Sequence, residues 1–207
     1  MKRKLIFILV IFLGSVFISA ERVVFTISGN YFSISDADYK ERYGETKYFP
    51  EGKISLRISG NFYLWGSCGF FSSSYSWEEW SNKGVIYADI KGENVLDKLI
   101  ISGGLGYYVG FLRQNDISIK VEVGACRITN TIGITKNMIP TKEIVSVEEK
   151  EEAGTGIRGN LGVTYGIYKN NLFAELAAGY LYATDKVDDE RIKLGGFQVT
   201  LGLGLAF

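Results

Sequence analysis

The twelve residues from Gly196 to Phe207 constrain the fold more than any other part of the chain, because they alternate without a break. Phe197, Val199, Leu201, Leu203, Leu205 and Phe207 form one row, and Gly196, Gln198, Thr200, Gly202, Gly204 and Ala206 form the other. A period of two is the signature of a strand. Bulk on one face and small or polar residues on the other suit a strand with lipid outside and a crowded interior. A soluble sandwich is a poor match, since it fills both its core and its solvent positions with larger side chains.

Similar alternation recurs from Glu21 onward, and no stretch there has the helical period. It predicts eight strands, at 22–35, 53–59, 62–73, 99–111, 117–128, 156–168, 172–184 and 196–207. Tight turns at Gly60-Asn61, Leu112 to Asp116 and Asn170-Asn171 alternate with longer links at Asp36–Gly52, Ser74–Asn94, Gly133–Thr155 and Asp185–Arg191. Residues 84–90 also alternate, and either extend the third or fourth strand or raise the count to ten. The 25 glycines, 13 tyrosines and 13 phenylalanines against only 2 prolines suit continuous strands.

A two-residue turn pairs its flanking residues, which must then share a face. Around Gly60-Asn61 this rule sends Ile54, Leu56, Ile58, Tyr63, Trp65 and Phe71 outward, and Phe62, Leu64 and Cys68 inward. Around Asn170-Asn171 it pairs Lys169 with Leu172, with odd positions outward before the turn and even positions outward after it.

The N-terminus has a processing signature. Lys2, Arg3 and Lys4 precede an apolar run from Leu5 to Ile18, and Ser19-Ala20 then supply small residues before Glu21. Residues 1–20 read as a secretory signal peptide cleaved after Ala20. The run of about 14 apolar residues falls short of the ~20 a transmembrane helix needs. Cleavage removes three of the 23 basic residues and none of the 23 acidic ones, leaving the 21–207 domain with about three net negative charges. That charge, with no basic stripe, argues against a nucleic-acid partner.

Together, the signal segment, the alternation of short turns and long links, and the terminal Leu201-Gly-Leu-Gly-Leu-Ala-Phe207 resemble the small eight-stranded outer-membrane β-barrel proteins over residues 21–207. The resemblance implies an all-β fold, a transmembrane up-and-down antiparallel barrel, located in the outer membrane with lipids as its surroundings. It also implies that the insertion machinery reads the terminal strand ending at Phe207. The class includes adhesins, enzymes and structural proteins, so it names no ligand.

The chain contains no histidine. Enzymes on barrels of this class use one as a general base, so the resemblance carries over no catalytic residue. Ser72, Ser73 and Ser74 have no base beside them in sequence and read as a polar rim. No cofactor and no metal-ligand pattern is recognisable. The inward charges Arg57, Lys120, Glu122, Arg158 and Glu175 are expected to pair and fill the lumen, because an eight-stranded barrel is just wide enough for its own side chains. Glu148, Glu149, Glu151 and Glu152 read as a solvated loop, and Tyr75, Trp77 and Trp80 as an interfacial girdle. Cys68 and Cys126 lie on strands separated by a third, beyond disulfide reach, and are expected to be free and buried. The expected role is structural or surface interaction through long outer loops. The alternatives are a narrow channel or pocket for a small apolar molecule, and a secreted lipocalin-like binder with an apolar inside.

Overall fold

The computed structural model describes residues 22–37, 40–41, 44–83, 86–109, 117–139, 143–168, 171–187 and 190–207. At 77–83, 86–91, 94, 132, 134–139, 143–150, 168, 185–187 and 190–193 the description is of the strand backbone alone. Residues 1–21, which include the segment expected to be a signal peptide, lie outside the described residues.

Eight strands run in sequence: β1 (Arg22–Ile34), β2 (Thr46–Ser59), β3 (Phe62–Lys83), β4 (Ile86–Val109), β5 (Ile117–Ile139), β6 (Glu143–Tyr168), β7 (Leu172–Val187) and β8 (Glu190–Ala206). Each pairs antiparallel with the next, and β8 returns to β1 from Val24↔Ala206 to Ile34↔Gly196, closing the barrel. Closure leaves no free edge around this wall. The ten-stranded alternative does not hold. Ile86 to Ile90 continue β4, which pairs back onto β3 from Lys83↔Ile86.

The C-terminal alternation has the orientation its composition demands. Leu201, Leu203 and Phe207 are 67%, 59% and 75% exposed on the outside, while Gly202, Gly204 and Ala206 are buried within. The small residues make room for bulk from neighbouring strands. A Cβ at Gly204 would lie 2.1 Å from the Phe173 ring, and one at Gly196 would lie 2.8 Å from Phe32. Across the wall, Gly106 makes room for Tyr63 in the same way. The apolar belt continues through Phe25, Ile27, Ile101, Leu105, Val123, Ile157, Leu161 and Leu176, all outward and exposed. This is the reverse of a lipocalin-like barrel, and a surface of this kind is stable only against hydrocarbon.

The turn at Gly60-Asn61 corrects the face assignment. Gly60 takes φ +54°, and Ser59 pairs with Phe62 as a two-residue turn requires. Arg57, however, pairs with Tyr63, so Ile58 is an extra residue with no partner across the ladder. This β-bulge offsets the rows by one. Above it Tyr63, Trp65 and Phe71 are buried inside, while Phe62 and Cys68 face out. Cys126 is buried and both thiols are free, so the expectation of two buried cysteines fails for Cys68. At the β6–β7 turn the faces are as expected, but Tyr168 rather than Lys169 pairs with Leu172; residues 169–170 lie outside the described residues.

Four strands are far longer than their apolar alternation suggested. β3, β4, β5 and β6 have 22, 24, 23 and 26 residues, against the ~9–11 that cross a bilayer. Much of what read as the loops 74–94 and 133–155 is therefore paired strand. Above the membrane neither face needs to be apolar, so the side-chain pattern fades while the backbone ladder continues. The barrel closes up to Glu51↔Gly69 on one side and Thr155↔Thr184 on the other. Beyond those pairs β3 to β6 rise as a four-stranded sheet, with rungs as far as Asp89↔Ile139 and Met138↔Glu143.

Candidate functional site

Inward-pointing rows from all eight strands meet in the lumen and form stacked tiers. Nearest the end with the tight turns, Lys53 of β2, Lys120 and Glu122 of β5 and Glu175 of β7 form a balanced ion cluster. Lys53 Nζ lies 2.7 Å from Glu175 Oε1 and 3.1 Å from Glu122 Oε1, and Lys120 Nζ lies 2.7 Å and 3.1 Å from the same two oxygens. Tyr63 donates its hydroxyl hydrogen to Glu122 Oε1 at 3.0 Å, and Asn160 Nδ2 donates to Glu122 Oε2 at 3.2 Å. Every charged member is at least nine-tenths buried, so each ion has lost water that its partners must replace.

One tier further in, Arg158 Nη1 donates to Glu51 Oε1 at 2.9 Å, and Asn30 Nδ2 donates to the other Glu51 oxygen at 3.2 Å. The guanidinium lies 6.0 Å from the centroid of the Trp65 ring, whose Nε1 donates to the Leu105 carbonyl at 3.1 Å. Gln198 and Thr200 donate to Asn30 Oδ1 and complete the ring of polar contacts.

Above these tiers the interior becomes apolar. Phe32, Ile34, Phe49, Phe71, Leu96, Ile100, Cys126, Ile128, Leu181, Ala183 and Leu194 form a buried cluster. Lys98 and Asn130, both fully buried, are joined at 2.8 Å. Tyr75 packs against this cluster from inside, which removes it from the expected girdle. The side chains of Trp77 and Trp80 lie outside the described residues. Outward aromatic pairs occur elsewhere on the wall, among them Phe62–Tyr107 and Tyr31–Tyr48, with ring centroids 4.9 Å and 5.3 Å apart.

Of the five charges singled out in the sequence, Lys120, Glu122 and Glu175 meet in one cluster and Arg158 pairs one tier away. Arg57 joins neither. It is half-buried at the turn end, with Nε donating to the Gly60 carbonyl. Lys53 and Glu51, which the sequence reading missed, share Arg57's inward row two and three steps of two along β2, and extending that row would have found them. The apolar tier had no comparable signal, because inward Phe32 and Ile34 continue a row that begins with Thr26, Ser28 and Asn30. Among the described residues no group of acidic and cysteine side chains is arranged to hold a metal ion.

A closed eight-stranded wall, apolar outside and ion-paired within, with tight turns at one end and tall hairpins at the other, is the architecture of a small outer-membrane β-barrel protein. No protein-family profile matches the chain, and no curated protein is similar to it in sequence. Among solved structures it is similar to the outer membrane protein OprG from Pseudomonas aeruginosa, at 10% identity over 91% of this chain and 97% of that one, with a TM-score of 0.54. It is also similar to Ail, the attachment invasion locus protein of Yersinia pestis, in complex with the heparin analogue sucrose octasulfate (16% identity, 90% and 98% covered, TM-score 0.48). The N-terminal β-barrel domain of Pseudomonas aeruginosa OprF is a third (15%, 91% and 98%, 0.47). The likeness to OprG is one of fold.

Proposed function

We propose that the protein is a non-enzymatic outer-membrane barrel whose activity is to present the β3–β6 sheet outside the cell for contact with a partner. In this reading residues 1–20 direct export, the insertion machinery recognises the β8 end at Phe207, and the paired lumen charges are structural. The observation that carries it is where the strand pairing stops. Residues 70–83 of β3 have no partner from β2, and residues 143–154 of β6 have none from β7, among the described residues. Each leaves backbone N–H and C=O groups along a sheet edge, the feature to which an extended chain adds as a further strand.

Excision in register tests this. Removing 77–92 and 135–147 leaves Ser76-Glu93 and Ile134-Glu148 as two-residue turns flanked by the pairs Tyr75↔Asn94 and Gly133↔Glu149, so the rungs below them keep their register. A display library of extended decapeptides, selected against the intact and trimmed proteins, should enrich binders more strongly on the intact one, because trimming cuts the free edges to residues 70–76 and 148–154. Equal enrichment on both, with both barrels folded, would sink the proposal.

A further inference from the structure

We propose that the lipid-facing wall formed by β8, β1 and β2 holds a groove for one acyl chain of an outer-leaflet lipid. The site lies on the barrel wall and does not depend on the role assigned to the extended sheet. An open groove of about 660 Å³ is lined there by Gly29, Tyr31, Tyr48, Pro50, Val199 and Leu201. The register explains the hollow. Gly29 pairs with Pro50 on one side and Leu201 on the other, and one outward-facing step further along β1, Tyr31 pairs with Tyr48 and Val199. Gly29 has no side chain, and a Cβ placed there would meet nothing within 4 Å. The Tyr31 and Tyr48 rings, 5.3 Å apart, wall the groove above, and Ile27, 77% exposed and one step below Gly29, forms its sill.

Chemistry and depth select the occupant. Asn30 and Phe49 also border the groove, but their side chains turn inward, Asn30 to Glu51 and Phe49 to the buried apolar cluster. The lining therefore offers no charge, and its outward polar groups are the two tyrosine hydroxyls. Tyr31 and Tyr48 stand where the apolar rows end, since the next outward residues are Ser33 and Thr46. Tyrosines in that place sit at headgroup level, which sets Gly29 and Pro50 against the first stretch of the acyl chains. The groove is continuous with the apolar belt that faces lipid. Lipid tails are as apolar as leucine, so a chain held here gains by packing and not by leaving water. Gly29 has no rotamer, the Pro50 ring is fixed and Val199 is stiff at χ1, so the shape persists and little freedom is lost on binding. A second copy fits worse. Two barrels related by an axis along the membrane normal keep every residue at its own depth, so hollow would face hollow.

The test uses the folded barrel in phosphatidylcholine bilayers with a trace of phosphatidylcholine spin-labelled near the glycerol end of one acyl chain. Electron paramagnetic resonance then counts the motionally restricted chains per barrel. Gly29→Phe fills the groove from its floor and should remove one restricted chain per barrel. Gly66→Phe, outward on β3 and away from the groove, should remove none; a Cβ there makes only an ordinary contact, 3.8 Å from the Ser102 carbonyl oxygen. Tyr48→Ala takes away the upper wall and should speed exchange of the restricted chain several-fold, a readout that stands should Gly29→Phe fail to insert. Equal counts in the parent and Gly29→Phe, equal loss in both glycine variants, or unchanged exchange in Tyr48→Ala overturns the proposal. A dimer of the parent that Gly29→Phe dissociates, seen by sedimentation in micelles, would put a second copy over the groove and overturn it as well.

Discussion

At the scale of single residues, the ion cluster is the costliest part of the wall to disturb. Lys53 sits between Glu122 and Glu175. Replacing it with methionine leaves two buried carboxylates facing Lys120 alone. Breaking such a pair costs roughly 3–5 kcal/mol, so Lys53→Met should unfold at markedly lower urea and lose its heat-dependent gel shift. Adding Glu175→Gln restores the charge balance and should recover much of that loss; a double mutant with no recovery would mean the two groups act independently. Packing makes a second demand at this scale. Gly204→Val would press on the Phe173 ring and should cost about 1–3 kcal/mol, relieved by Phe173→Ala. Both features were partly legible in the sequence, since inward parity marks Glu122, Glu175 and the glycine row. Parity says nothing of which strands face across the lumen. The partnership of β2 with β5 and β7 therefore appears only once the barrel is closed.

At the scale of elements, the β2–β3 hairpin shows where reading by alternation fails. The turn was legible, because Gly60-Asn61 stands between two apolar runs. The bulge was not, because an extra Ile58 resembles any other apolar strand residue and only the ladder shows it has no partner. Deleting Ile58 should therefore be tolerated, since Arg57↔Tyr63 and every rung above it keep their register. Deleting Leu64 should abolish folding, since it sends Trp65 and Phe71 to the lipid face. Refolding yields of the two deletions, judged by gel shift, check this pair of outcomes. On the opposite side, Leu201→Arg should cost about 2–4 kcal/mol if Leu201 lies near the bilayer midplane, read from urea titration in vesicles. The upper halves of β3 to β6 were illegible for a different reason: sequence period reports burial, and a sheet standing in water has no lipid face to report. One-sided shortening of 142–153 should then be harmful, because it strips β5 residues from Thr129 to Met138 of their partners.

At the scale of the whole molecule, the tiers decide whether the barrel conducts. Closed-barrel architecture was legible from the terminal strand and the link lengths, and a filled lumen was expected from the width of eight strands, although inward charges by themselves suit water-filled and ion-paired interiors alike. In the structure two barriers of different physics lie in series. The ion cluster draws side chains of β2, β5 and β7 together across the lower lumen at 2.7–3.1 Å. The apolar cluster above it, with Phe32, Ile34, Leu96, Ile128, Leu181 and Leu194 no more than 1% exposed, offers an ion no replacement for its hydration shell. Either barrier alone stops a hydrated ion, so removing one should not open the other. In planar bilayers the protein should therefore show no steady porin-sized conductance, and neither Glu122→Gln nor Phe32→Ala alone should produce one. Combining Glu122→Gln with Phe32→Ala and Phe71→Ala weakens both tiers, and measurable flicker is expected only there. Steady conductance in the unmodified protein would mean that the lumen is open, and conductance in Phe32→Ala alone would assign the whole barrier to the apolar tier.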